Sequence, residues 1–226
     1  MAERLNRISV TLTARGIPGA MRRRLLHPDG RSFTGELETW GARVPVGAHL
    51  LDRPARHQVV VRLSKGAGTR RGRPDVRGLA IRVHGAGRDT DILLSTTGTG
   101  RLTRHVPVPR RGFDAYYGSI TAYRAGERKV YLAAGPDPAG PPLGRTLESV
   151  VAVARRHRAA LLLYAGPDPV GRVTFGAPLP PPADAALAFD PVRNAPADLH
   201  PVGLMHGVRA FAYRASRRWR GASVAG

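Results

Sequence analysis

The chain has 226 residues, 42% of them hydrophobic and 23% charged, and carries a formal net charge of +20. That length suits one domain with a buried core, and the composition excludes a disordered chain. The absence of cysteine excludes disulfides, thiolate catalysis and thiolate-held iron–sulfur clusters.

In chain order, the first segment carries arginines at Arg4, Arg7, Arg15, Arg22, Arg23 and Arg24. It lacks the compact apolar stretch and cleavage pattern of a secretory signal, so a cytoplasmic protein is expected. No run approaches the ~20 apolar residues of a transmembrane helix, and no transmembrane segment is expected. Strand-like alternation follows at Ser32–Trp40, Gln58–Leu63, Leu79–Val83 and Asp91–Ser95. Between the second and third runs, GAGTRRGRPD (66–75) lacks the Gly-Lys-Ser/Thr ending and following helix of a phosphate loop. It reads as a hairpin connection. AYYGSITAYRAG (115–126) carries helical spacing around an internal glycine, and TLESVVAVARRHR (146–158) predicts a helix with Thr146 and Ser149 as capping candidates. Further strands are expected at Lys129–Ala133, Ala160–Ala165, Arg172–Gly176 and Ala186–Phe189.

LAAGPDPAG (132–140) and LYAGPDPVG (163–171) are near-copies, each a strand running into a Pro/Gly turn. PLPPPAD (178–184) reads as an extended connector. GLMHGVRAFAYRASRRWR (203–220) predicts a last helix, with Gly221 as its stop. About eight strands with helices added late predict an α+β fold, an antiparallel β-barrel with flanking helices. The expected single domain spans 1–226, with the barrel and inserted helices in 20–190 and the final helix in 200–221.

The last helix poses the sharpest chemical question. Arg209 and Tyr213 are four residues apart and meet on one helical face. A phenol with a pKa of ~10 is a poor anionic ligand at neutral pH, but an adjacent guanidinium favours the phenolate by charge and hydrogen bonding. An axial metal ligand needs that combination; a packed helix surface offers the same pair without any function. His49, His57, His84, His105, His157, His200 and His206 show no metal-ligand spacing and read as structural.

Four further segments bear on the choice. RLLHPDGRSFTG (24–35) sets Arg24 three residues before His27 and continues as H-x-x-G-x-x-F-x-G. VVVRLSKGAG (59–68), PDVRGLAIRV (74–83) and DILLSTTG (91–98) follow, and RAFAYRASRRWRG (209–221) closes the series. In this order they resemble the core of the haem catalases, especially the short catalase-related peroxidases. The resemblance is close over 20–100 and good over 200–221; the stretch between matches only in its rhythm of strands and helices.

The resemblance implies a catalase-like barrel that binds haem b. It implies Tyr213 as the proximal iron ligand, with Arg209 hydrogen-bonded to its phenolate. His27 takes the place of the distal residue over the open face of the iron, and Ser64 that of the hydroxyl steadying the His27 ring. Arg24, Arg62 and Arg220 fall where the family keeps cations for the haem propionates, which a planar guanidinium grips with two bonds at once. His27 would move a proton from the near to the far oxygen of a peroxide, work suited to a near-neutral imidazole. Arg214, Arg217 and Arg218 receive no role and read as a solvated helix face.

The sequence departs from the family in one segment. Where the family has asparagine in D-[LI]-x-x-N-x-T-P, this chain has Ser95, and Gly98 replaces the proline. Serine reaches less far and brings no amide donor; losing one preorganised donor costs roughly 10²–10³ in rate. The chain is also far shorter than a full catalase. Peroxide-dependent oxidation of a small organic or lipid donor is therefore expected in preference to dismutation. The alternatives are an allene-oxide-synthase-like hydroperoxide isomerase, which needs no reductant, and a catalase barrel that holds haem without turnover. A non-enzyme alternative is a basic nucleic-acid-binding protein, drawing on RHRAA (156–160) and RASRRWRG (214–221). No helix-turn-helix, zinc-finger or RNP-type pattern supports it, so no specific nucleic acid is expected. A homo-oligomer is compatible with the reading.

Overall fold

Alternation along the first strands places every second side chain in one core. The computed structural model describes residues 29–202 apart from 67, 68 and 70–72. Eleven strands run through that range: β1 (Asp29–Thr39), β2 (Ala55–Lys65), β3 (Arg77–Val83), β4 (Thr90–Thr96), β5 (Tyr117–Gly118), β6 (Tyr123–Ala125), β7 (Arg128–Val130), β8 (Leu132–Pro136), β9 (Ala160–Ala165), β10 (Asp168–Pro178) and β11 (Leu199–Pro201). Eight close into an antiparallel barrel in the order β1-β10-β9-β8-β5-β4-β3-β2, while β11-β6-β7 form a separate sheet. The expected fold class is the one observed.

Phe33 and Leu37 of β1, Val59, Val61 and Leu63 of β2, Leu79 and Ile81 of β3, and Ile92 and Leu94 of β4 are all buried. Phe175 of β10 meets Phe33 with ring centroids 5.6 Å apart. Each such side chain contributes about 1.5–3 kcal/mol on burial. Among the described residues the barrel interior is packed and leaves no space for a large ligand.

The near-copied segments turn as predicted, each by its own device. After β8, the Ala139 N–H donates to Asp137 Oδ1 (2.9 Å) and Gly140 N to Asp137 O (3.0 Å). Between β9 and β10 the turn is two residues long, with Gly166 in the left-handed region at φ +63°. Residues 66–76 join neighbouring antiparallel strands, as a hairpin connection should.

Three short helices complete the described chain: α1 (His49–Asp52), α2 (Leu147–Ala154) and α3 (Pro181–Ala186). The capping expectation for α2 holds in full. The Ser149 N–H donates to Thr146 Oγ1 (3.1 Å) and the Thr146 N–H to Ser149 Oγ (3.2 Å), while Val150 and Ala154 are buried.

Four sequence expectations are corrected. The segment 115–126 forms β5 and β6 rather than a helix, because Gly118 is paired between Ser95 and Ala133. A Cβ there would come within 2.6 Å of Thr97 Oγ1. Lys129–Ala133 is divided at Tyr131 into β7 and β8, which belong to different sheets. The PLPPPAD connector contains the start of α3, since proline presets φ for the first helical turn. Ala186–Phe189 holds no strand; it is the end of α3 and the coil beyond. The helix expected at 203–220 lies outside the described residues.

Candidate functional site on the outer face of the barrel

Inward packing of Leu63, Leu79 and Leu94 turns their neighbours Ser64, Gly78 and Ser95 to the outer face. Strand register then aligns them: Gly30 opposes Ser64, Ser64 opposes Gly78, Gly78 opposes Ser95, and Ser95 opposes Gly118. Strands lie about 4.8 Å apart, so Ser64 and Ser95 stand roughly 10 Å apart with a glycine between them. Ser64 is buried and donates to Gly78 O (3.4 Å), whereas Ser95 is half-buried. One row further along, Ser32, Arg62, Ala80 and Leu93 are paired in the same way. The structure thus brings Arg62, Ser64 and Ser95 to one face.

Arg62 is only 7% exposed. Its Nη1 donates to Asp184 Oδ1, which also accepts from Ser32 Oγ at 2.7 Å. A Cβ on Gly30 would sit 2.6 Å from Arg62 Nη2, so the missing side chain makes the floor under the guanidinium. Asp184 is a partner the sequence reading missed. The available signal was an acid in the first turn after a proline run, a common helix start.

His27, Arg24, Arg209, Tyr213 and Arg220 lie outside the described residues. Among the described residues the buried tyrosines are poor sources of phenolate. Burial pushes the Tyr117 pKa up strongly, and its hydroxyl donates to Phe113 O at 2.9 Å. Burial also raises Tyr123, to about 12, and Tyr116. No group of three or more His, Cys, Asp or Glu side chains could hold a metal ion among the described residues. His57, read as structural, has a pKa below its usual 6.5 through burial and then through His49 nearby.

Beyond Gly118 the outer face opens into a cleft of about 390 Å³, lined among others by Tyr116, Tyr131, Tyr164, Arg104 and Ile120. The Arg104 guanidinium lies 4.7 Å from the centre of the Tyr131 ring, and the His105 ring meets that ring edge-on at 5.5 Å. Its tyrosines come from three separated segments, which no local pattern in the sequence connects.

No family model and no curated protein matches this sequence. Solved structures do match. A fungal catalase aligns over 97% of this chain and 61% of its own, with a TM-score of 0.60 and 15% identity. Catalase A from Saccharomyces cerevisiae aligns over 97% and 63%, with a TM-score of 0.56 and 13% identity. A bacterial catalase aligns over 97% and 59%, with a TM-score of 0.58 and 14% identity. The chain therefore has the catalase fold, and it spans about three fifths of the length of the catalases it matches.

Proposed function

We propose that the protein is a haem-dependent, peroxidase-like oxidoreductase that cleaves hydrogen peroxide or organic hydroperoxides and oxidises a small organic or lipid donor. The observation that carries this reading is the row Gly30–Ser64–Gly78–Ser95–Gly118 on the outer face of a catalase-fold barrel. A planar macrocycle approaches a sheet closely only where side chains are short, and this row supplies three glycines and two serines. Arg62, one row away, is buried and held by Asp184, so it would reach a haem carboxylate only by exchanging that partner.

The short side chains of the row suit the flat face of haem b, the cofactor this reading requires. Tyr213 and Arg209 would hold it on one side, with Arg24, Arg62 and Arg220 for its carboxylates. Bound haem would supply two-electron redox chemistry at iron. His27 would take the proton from the near peroxide oxygen and return it to the far one. Ser64 would fix the His27 ring, and Ser95 would donate its hydroxyl to bound peroxide. No helix among the described residues is long and apolar enough to cross a membrane, and a cytoplasmic location belongs to the same proposal.

The haem-loaded full chain, assayed with hydrogen peroxide and with an organic hydroperoxide, should consume both only when an electron donor is added. His27→Ala should slow consumption by roughly 10²–10⁴. Hydroperoxide consumption independent of donor would indicate an isomerase instead, and wild-type rates in His27→Ala would remove its acid–base role.

A further inference from the structure

The loop between β4 and β5 has no part in the proposed chemistry, yet it is firmly built. Val108 N donates to Thr96 O (2.8 Å), Thr96 Oγ1 to Val108 O (2.7 Å), and Gly98 N to Thr103 O (3.2 Å). Residues Thr103–His105 form a 3-10 turn. Within it, His105 Nδ1 lies 2.7 Å from Ile120 O and Arg104 stacks on Tyr131, so these two polar side chains secure the loop to the segments that follow β5 and precede β8. The residues flanking the turn are apolar and point to solvent: Leu102 is 81% exposed and Val106 49%. Usual packing is thereby inverted, with the cation and imidazole as anchors and the aliphatic side chains outside.

Arginines are frequent in this loop and in the segments bonded to it. Arg101, Arg110 and Arg111 are exposed in the same loop. Backbone bonds between Arg110 and Asp75 (2.8 and 3.1 Å) draw in the hairpin that carries exposed Arg73. The bond from Phe113 N to Gly144 O (2.8 Å) draws in exposed Arg145. The carboxylates of these segments are engaged locally: Asp75 accepts from the Thr69 N–H (2.9 Å) and Asp114 from the Gly144 N–H (2.7 Å).

Single exposed aliphatic residues are ordinary on protein surfaces. Two of them, in a firmly bonded loop that carries three exposed arginines and is bonded to segments carrying two more, combine the two signals a peripheral membrane site needs: apolar insertion and attraction to anionic headgroups. Single-stranded nucleic acid would instead call for exposed aromatic rings on which bases stack, whereas the tyrosines of the cleft beside the loop are half-buried and the Tyr131 ring is already covered by Arg104. We propose that this loop docks the protein on the surface of an anionic phospholipid bilayer, with Leu102 and Val106 entering the headgroup–acyl boundary and the arginines pairing with lipid phosphates. The inference does not depend on haem.

The cysteine-free sequence gives a direct test on the full chain. Leu102→Cys and, as a control, Val192→Cys at another exposed site (64%) each accept one environment-sensitive fluorophore. With phosphatidylcholine vesicles containing phosphatidylglycerol, the label at 102 should shift to the blue and be quenched by brominated lipid; the label at 192 should not respond. Phosphatidylcholine alone should give no shift. Arg110→Glu with Arg111→Glu should lower vesicle partitioning more than tenfold, on the basis of roughly fivefold per arginine. Arg155→Glu with Arg156→Glu, beyond α2, should change it less than half as much. Equal responses of the two labels, or equal losses from the two arginine pairs, would reduce the effect to diffuse charge and overturn the proposal. A label at 102 that responds to single-stranded RNA and not to vesicles would assign the loop to nucleic acid and overturn it equally.

Discussion

Two buried arginines meet the cost of burial differently. Arg62 shares Asp184 Oδ1 with Ser32, so a single carboxylate oxygen serves two donors from adjacent strands. Arg77, 1% exposed, donates through Nη2 to Arg111 O (2.9 Å) and lies 4.6 Å over the Phe113 ring. Its Nε and Nη1 have no hydrogen-bond partner among the described residues, and burial lowers its pKa. The pairing of Arg62 makes Asp184 a stability determinant far from its neighbours in sequence. Asp184→Ala should lower the unfolding free energy by about 3–5 kcal/mol, the usual consequence of removing one partner of a buried ion pair. Urea denaturation measures this directly; a loss below ~1 kcal/mol would show that the pair contributes little. Asp184→Asn, which keeps an acceptor oxygen, should lose less.

At the scale of elements, strand register does the positioning. Ser64 and Ser95 are 31 positions apart in sequence, yet both oppose Gly78. β3 therefore acts as a spacer that fixes the two hydroxyls on one face without either needing a flexible loop. Ser95 is half-buried, which leaves room for a longer side chain. Ser95→Asn should bring in an amide donor and raise peroxide consumption by the haem-loaded protein, up to roughly 10²-fold. Unchanged peroxide turnover with a retained haem spectrum would remove position 95 from the site.

For the whole molecule, the described barrel interior is filled by side chains, and the proposed site lies on its outer surface. The sequence made that surface partly legible. Several of the runs in β1 to β4 alternate apolar and polar residues over five to eight positions, the pattern of a strand with one face toward a core. β5 and β6 were hidden because they are only two and three residues long, and their apolar spacing also fits a helix. Only the neighbours Ser95 and Ala133 decide the matter for Gly118. The resemblance singled out Arg62, Ser64 and Ser95, but their common face depends on inter-strand register, and Asp184 and the tyrosine cleft depend on contacts between distant segments. The high net charge also has a structural side. Aspartates work internally: Asp52 accepts from the N–H groups of Val46, Gly47 and Ala48, and Asp91 from Arg82 and Asn194. Those acids bind the fold together while many arginines remain on its surface.

Titration of the full chain with hemin tests the central claim most directly. A haem protein with an arginine-supported phenolate ligand should bind hemin stoichiometrically, with a defined Soret band that Tyr213→Phe abolishes or shifts while leaving the far-ultraviolet circular dichroism of the barrel unchanged. Failure of the wild-type chain to bind hemin, or identical spectra for the wild type and Tyr213→Phe, would contradict it.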